Sequence, residues 1–119
     1  MGTTLEHLLE VQDRRGAGYL TLLDPDRLSL DELESRALQC AKADADAILV
    51  GTSLMLSASG NVELFDRLRS LVDIPVISFP GDAGQVVRTA DAILFLSMVS
   101  GRNAELLIGQ HVRAAPLLK

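Results

Sequence analysis

The chain has no tryptophan, one tyrosine and three phenylalanines, so aromatic packing cannot organise its core. Aliphatic residues must do so, and a 48% hydrophobic share against 23% charged residues supplies them. That balance excludes a disordered chain and suits buried parallel strands covered by Leu/Ala helices. A single cysteine, Cys40, excludes an intrachain disulfide and leaves the redox compartment open. Positive charge is scarce, with 11 Lys and Arg against 16 Asp and Glu and a formal net charge of −5. This argues against nucleic acid, whose backbone needs clustered Lys and Arg. An acidic chain can still handle an anionic substrate where the local charge suits it. No apolar run reaches the roughly 20 residues that span a bilayer, and the opening residues lack the apolar stretch of a signal peptide. A cytoplasmic location is expected, with membrane contact arising only through a lipid substrate.

A length of 119 residues suffices for one domain with its own core, and no linker or low-complexity segment divides it, so residues 1–119 are read as a single domain. The spacing predicts a helix over 4–14, opened by a Thr3/Glu6 capping box and ended at Arg15-Gly16. Tyr19–Leu23 is a short apolar run, closed by Asp24-Pro25-Asp26. A second capping box at Ser29/Glu32 opens a helix whose Leu30, Leu33, Ala37 and Ala41 repeat at helical spacing. Ala47–Val50 predicts a second strand, and Asn61 the cap of a helix carrying Leu64, Phe65 and Leu68 on one face. A third strand over Ile74–Phe79, a short helix near 83–88, a fourth strand over Ala92–Leu96 and a last helix over 104–114 complete the pass. Strand and helix thus alternate four times, the pattern of right-handed βαβ units and a parallel sheet. Ala45-Asp46-Ala47-Ile48-Leu49 recurs as Ala90-Asp91-Ala92-Ile93-Leu94, before strands two and four, which favours a repeated two-unit module. A flavodoxin-like sheet fits the alternation but lacks its fifth strand.

Parallel α/β folds build their sites from the loops at the carboxyl ends of the strands. Here those loops hold Asp24-Pro25-Asp26, Gly51-Thr52-Ser53, Phe79-Pro80-Gly81-Asp82 and Ser100-Gly101-Arg102-Asn103. Asp24, with the Ser53 hydroxyl one strand away, could hold Mg²⁺, which accepts few protein oxygens and keeps several waters. Equally, Asp24 or Asp26 could cap the turn that precedes Ser29. Gly51 and Gly81 sit where backbone could approach a phosphate or merely turn. Arg102 beside the capping Asn103 is an anion site or a solvated side chain. His7 and His111 fall on helices and read as packing residues, as does Cys40.

Taken in order, Leu22-Leu23-Asp24-Pro25-Asp26, Ile48-Leu49-Val50-Gly51-Thr52-Ser53, Val76-Ile77-Ser78-Phe79-Pro80-Gly81 and the run from Ala90-Asp91 to Gly101-Arg102-Asn103 resemble the geranylgeranylglyceryl phosphate synthase family. The family includes the bacterial heptaprenylglyceryl phosphate synthases, and Leu107-Ile108-Gly109-Gln110-His111-Val112 with Ala114-Ala115-Pro116 is similar to the branch found in some bacteria and archaea. The resemblance covers about Gly18 to Lys119. It implies a TIM-barrel prenyltransferase that joins sn-glycerol 1-phosphate to a polyprenyl diphosphate in ether-lipid synthesis, with Mg²⁺ as cofactor. The family's metal ligands fall on Asp24 and Ser53, and Gly51, Gly81, Arg102 and Asn103 become the candidate substrate contacts. Three positions depart from the pattern: Thr52 replaces a second glycine, Asp82 a serine, and Ala104 a proline.

A whole eight-unit barrel needs about 200–250 residues, so the fold expected here is a (βα)4 half of a TIM barrel with an extra N-terminal helix. The family's later motifs, which bind glycerol phosphate, have no counterpart in these 119 residues. The expectation is therefore a metal-binding half of the site, inactive or incomplete alone. The rival is a non-catalytic self-associating half-barrel or a truncated polypeptide. In either case alternate strand residues would leave an apolar face bare, and a homo-oligomer through that face is expected.

Overall fold

The computed structural model describes residues 2–52 and 56–118. In chain order it contains α1 (Thr3–Arg15), β1 (Leu20–Leu23), α2 (Leu30–Lys42), β2 (Ala47–Gly51), α3 (Ala58–Leu71), β3 (Val76–Phe79), a single 3-10 turn (Ala83–Gln85) and β4 (Ala92–Ile93). A C-terminal helical segment follows, with a π-turn over Glu105–Gly109, α4 (Gln110–Ala114) and a 3-10 turn (Ala115–Leu117). The strands lie parallel in the order β1-β2-β3-β4, with Leu20 opposite Ala47, Ile48 opposite Val76 and Ile77 opposite Ala92. This is the expected (βα)4 half-barrel with its additional N-terminal helix. Among the described residues no helix is long and apolar enough to cross a membrane.

Alternation along each strand divides its side chains between two faces. Leu23, Ile48, Val50 and Val76 point outward and join Leu33 and Ala37 of α2 with Leu64, Phe65 and Leu68 of α3 in one buried cluster. Phe65 is the only aromatic side chain in that cluster, and it is fully buried. An ion pair from Arg67 of α3 to Glu34 of α2 ties the two helices outside the core. The opposite face carries Leu20, Leu22, Leu49, Ile77, Phe79 and Leu94, and Leu22 and Leu94 remain 54% and 43% exposed.

Several local expectations are corrected. The Thr3/Glu6 capping box does not form: α1 starts a residue earlier, with Gly2 as its side-chain-less cap, which puts Thr3 inside the first turn. Asn61 does not cap α3. Ser57 does, accepting from the Gly60 N–H at 3.1 Å, so Asn61 lies buried within the helix. The helix near 83–88 shrinks to one 3-10 turn, and β1 and β3 begin at Leu20 and Val76. The fourth strand ends at Ile93 rather than Leu96. Leu94 N–H still donates to Ser78 O at 2.8 Å, but the next rung would need an N–H from Pro80, which has none. The Ser29/Glu32 box does form, with Ser29 N–H donating to Glu32 at 2.8 Å and Glu32 N–H to Ser29 at 3.3 Å. The Ser29 backbone N–H, and after it the Ser29 hydroxyl, bond the Glu32 carboxylate and hold its carboxyl below the ordinary range.

The repeated Ala-Asp-Ala-Ile-Leu segments are one device used twice. Asp46 Oδ2 accepts the Tyr19 N–H at 2.7 Å and pairs with Arg15 at the end of α1, while its own N–H donates to Tyr19 O at 2.8 Å. Asp91 Oδ2 accepts the Val76 N–H at 2.8 Å, its N–H donates to Val76 O at 3.0 Å, and Arg69 in the last turn of α3 donates to its Oδ1 at 2.9 Å. Each aspartate thus clamps the amino end of the preceding strand and the helix before it. α1 runs beneath both clamps, its Thr4 hydroxyl donating to Asp91 O at 3.3 Å and its His7 ring bonding Asp46 O at 3.0 Å.

Asp46→Ala should destabilise the fold by about 2–3 kcal/mol, since it strands a backbone donor and an arginine. Asp91→Ala should cost less, because the Asp91 side chain is 26% exposed against 7% for Asp46. Urea unfolding of the two variants measures both values and their order.

Candidate functional site

The carboxyl ends of the strands carry the polar loops, so the site is assembled there from the edge strand inward. Asp24 follows β1 directly. Its Oδ1 accepts the Asp26 N–H at 3.0 Å, and the Arg27 N–H donates to Asp24 O at 3.1 Å, which closes a tight turn across Pro25. Its Oδ2 faces Arg27 Nε at 3.2 Å, with the Arg27 side chain 84% exposed. The turn-capping role is therefore present. It does not exhaust the carboxylate, because each oxygen keeps a second lone pair and an ion pair to so exposed an arginine is weak and replaceable.

Gly51 closes β2 beside that turn. A Cβ placed on it would lie 3.7 Å from Pro25 Cδ and 3.9 Å from Leu23 O, so the Asp24 loop and the β2 exit are neighbours. The structure brings Asp24 and Gly51 together. Ser53, the other expected metal ligand, lies outside the described residues. Among the described residues no three His, Cys, Asp or Glu side chains converge as a metal cluster. One carboxylate next to a glycine turn suits an ion that takes few protein ligands and fills its shell with water and substrate oxygens. Mg²⁺ behaves in this way, so the donors present fit it.

The β3 exit is pinned by bonds that sequence reasoning missed. Thr52 is buried, and its hydroxyl donates to Gln85 O at 2.8 Å. Gln85 Oε1 accepts the Gly81 N–H at 3.1 Å, and Gln110 Oε1 accepts the Ala83 N–H at 2.9 Å. The departure from glycine at Thr52 is thus a tie between neighbouring loops. Gly81 spends its N–H on that tie, with Gln85 Oε1 only 3.2 Å from where its Cβ would stand. Asp82, the second departure, caps the 3-10 turn by accepting the Gly84 N–H at 2.8 Å. Nothing local signals Gln85 or Gln110, whose partners come from elsewhere in the fold.

Asn103 caps the C-terminal segment, accepting the Glu105 N–H at 3.1 Å. Arg102 beside it is exposed. Arg102 does not meet Asp24: β4 and β1 form opposite edges of the sheet, about 14 Å apart at three strand spacings. It stands one strand from Asp82. His111 bonds Ser97 Oγ at 3.0 Å and meets Phe95 edge-on at 4.8 Å, a packing contact as expected for that histidine. Between Phe79, Pro80, Phe95, Leu96, Met98 and Leu106 lies a mostly apolar cavity of about 210 Å³. It opens at the same rim as the polar loops.

Thr52→Val should speed hydrogen exchange at the Gly81 amide and cost about 1 kcal/mol, whereas Thr52→Ser, which keeps the donor, should stay near wild type. Exchange mass spectrometry of the 79–86 loop distinguishes the two.

Residues 9–119 match the family described as the PcrB family. The geranylgeranylglyceryl phosphate synthase of Chitinophaga pinensis is 44% identical over 110 residues, covering 90% of this chain and 43% of the relative. That of Flavobacterium johnsoniae is 38% identical over 117 residues, covering 98% and 48%. Among solved structures, (S)-3-O-geranylgeranylglyceryl phosphate synthase of Thermoplasma acidophilum, in complex with its substrate sn-glycerol-1-phosphate, superposes with a TM-score of 0.83 at 30% identity. That match covers 99% of this chain and 47% of the other. The chain spans less than half the length of these relatives.

Proposed function

The chain belongs to the PcrB family, and from that premise we propose that it is the diphosphate-binding half of a prenyltransferase site. The reaction it serves joins a polyprenyl diphosphate to the primary hydroxyl of sn-glycerol 1-phosphate, a step of ether-lipid synthesis in the cytoplasm. The observation that carries this reading is the placing of Asp24 beside Gly51 at one rim, with an apolar cavity opening on the same rim.

Asp24 and Ser53 would hold Mg²⁺, whose chemistry is to neutralise the diphosphate as the allylic C–O bond breaks. Asp24 exchanges its exposed Arg27 partner for the ion, so binding changes little in the surrounding turn. Gly51 leaves the β2 exit without a side chain against the Asp24 turn, where a Cβ would meet Pro25. The cavity walled by Phe79, Phe95, Leu96 and Met98 accepts the first isoprene units and keeps water from the allylic carbon. Arg102 and Asn103 supply a donor and a cation at the β4 exit, offsetting the negative charge of Asp82 there. The glycerol phosphate side of the reaction requires loops from four further βα units, which these 119 residues do not contain. The experiment has two arms. The purified chain, given Mg²⁺ and both substrates, should form no ether product, and turnover above background would show that this half is a complete enzyme. In calorimetry the chain should bind inorganic diphosphate only with Mg²⁺ present, and Asp24→Asn should weaken that binding roughly tenfold or more. Equal binding by wild type and Asp24→Asn would remove Asp24 from the site and leave it a turn cap.

A further inference from the structure

The rim around β1 and β2 is acidic at the place where a diphosphate would bring more negative charge. From the end of β1 to the middle of α2, residues 24–35 hold Asp24, Asp26, Asp31, Glu32 and Glu34. From the end of β2 into the second half of α3, residues 52–66 add Glu63 and Asp66. Arg27 is the one basic residue in either stretch. Arg36 and Arg67, the next along the chain, lie deeper in their helices, and Arg67 is held by Glu34. Arg102 follows β4, at the opposite edge of the sheet. A diphosphate beside Asp24 therefore meets repulsion, and the cations that can offset it there are the metal ion and Arg27.

Asp24 and Arg27 form a unit whose backbone is fixed and whose cation is loose. The Arg27 N–H donates to Asp24 O at 3.1 Å, and Asp24 Oδ1 accepts the Asp26 N–H at 3.0 Å, so the turn holds both residues in place. Arg27 Nε meets Asp24 Oδ2 at 3.2 Å, yet the two side chains are 84% and 46% exposed. That contact uses one of the five N–H donors of a guanidinium. The arginine can turn on its fixed backbone at the cost of one solvent-screened pair.

Resting on the diphosphate reading of this site, we propose that Arg27 is an internal stand-in for the metal ion. It neutralises Asp24 in the ion-free chain, and it passes to the diphosphate when Mg²⁺ takes the carboxylate. The exchange follows from charge. Once the ion sits on Asp24, the released guanidinium faces a charge of its own sign unless an anion lies between them. Diphosphate oxygens supply that anion, and the planar fork of an arginine fits two of them at once. A single contact through Nε is thus traded for a two-point contact. Each ligand favours the other, because the ion frees the arginine that the diphosphate needs and the diphosphate removes the arginine that competes with the ion. By linkage this coupling has the same size from either side.

Two changes of opposite sign test the proposal. Arg27→Gln should raise the affinity for Mg²⁺ alone about two- to fivefold, since the ion no longer competes with an exposed ion pair. The same variant should lower the affinity for inorganic diphosphate at saturating Mg²⁺ about tenfold, through loss of a charge-assisted contact. Arg27→Lys keeps the charge without the fork, so it should restore the competition with Mg²⁺ and recover only part of the diphosphate affinity. Both constants are read by nuclear magnetic resonance titration from the Asp26 amide, which donates to Asp24 Oδ1. An arginine that only supports the turn would move both constants the same way. Asp24→Asn is titrated in parallel. Unchanged constants in Asp24→Asn would overturn the diphosphate reading of the site and this inference with it. Weakened binding in Asp24→Asn, with parallel changes or none in Arg27→Gln, would overturn the inference alone and leave Arg27 a solvated side chain.

Discussion

Everything in this half-barrel depends on two aspartates at the amino ends of the strands. In a parallel sheet the first N–H of each strand has no ladder partner on one side, and a buried orphan donor costs about 1–3 kcal/mol. Asp46 and Asp91 meet that need for Tyr19 and Val76, and in the same contact fasten Arg15 and Arg69, the helix ends that lead into those strands. Strand, preceding helix and following strand are thereby tied at one point. The register of β1 on β2 and of β3 on β4 follows from those points, and with it the height at which each strand ends.

That height decides what the opposite rim can do. The clamps carry the stabilising polar contacts at one end, so the loops at the other are free to be short, polar and glycine-containing. They are nevertheless not loose. Thr52 to Gln85, Gln85 to Gly81, and Gln110 to Ala83 form a chain of bonds across the exits of β2 and β3 and into α4. Asp24, at the edge, is held among the described residues by bonds within its own turn. The site thus has a pinned centre and an adaptable flank, the arrangement wanted where a charged group must change partners on binding.

How much of this was legible in the sequence depended on the range of the interaction. The alternation of strands and helices, the Ser29 box and the Gly16 stop are written within a few residues, and they read correctly. So did the repeat: Asp46 and Asp91 stand at equivalent places in two copies of one pentapeptide, although their role as clamps needed the fold. What failed were boundaries set by competition or by neighbours. Ser57 outcompetes Asn61 as a cap because it lies a turn upstream. The early end of β4 is written in Pro80, the residue that follows the adjacent strand. The loop ties escaped because Thr52 and Gln85 are 33 residues apart, and Ala83 and Gln110 are 27 apart. Asp24 is the instructive case, since its local turn was foreseen and found, and that finding neither uses up nor proves its capacity for a metal.

The two faces of the sheet also differ in what they contribute to folding. On the outer face Ile48, Val50 and Val76 are fully buried, packed against Leu33 and Ala37 of α2 and Leu64, Phe65 and Leu68 of α3. On the inner face Leu22 and Leu94 stay about half exposed, and no described element covers them. At about 25 cal/mol per Å² of apolar surface, covering it is worth many kcal/mol, yet the outer layer can hold the strands and their rims without that contribution. A half-barrel can therefore present its strand-tip residues in place before its interior is filled. Filling the interior adds stability and brings new loops to the rim.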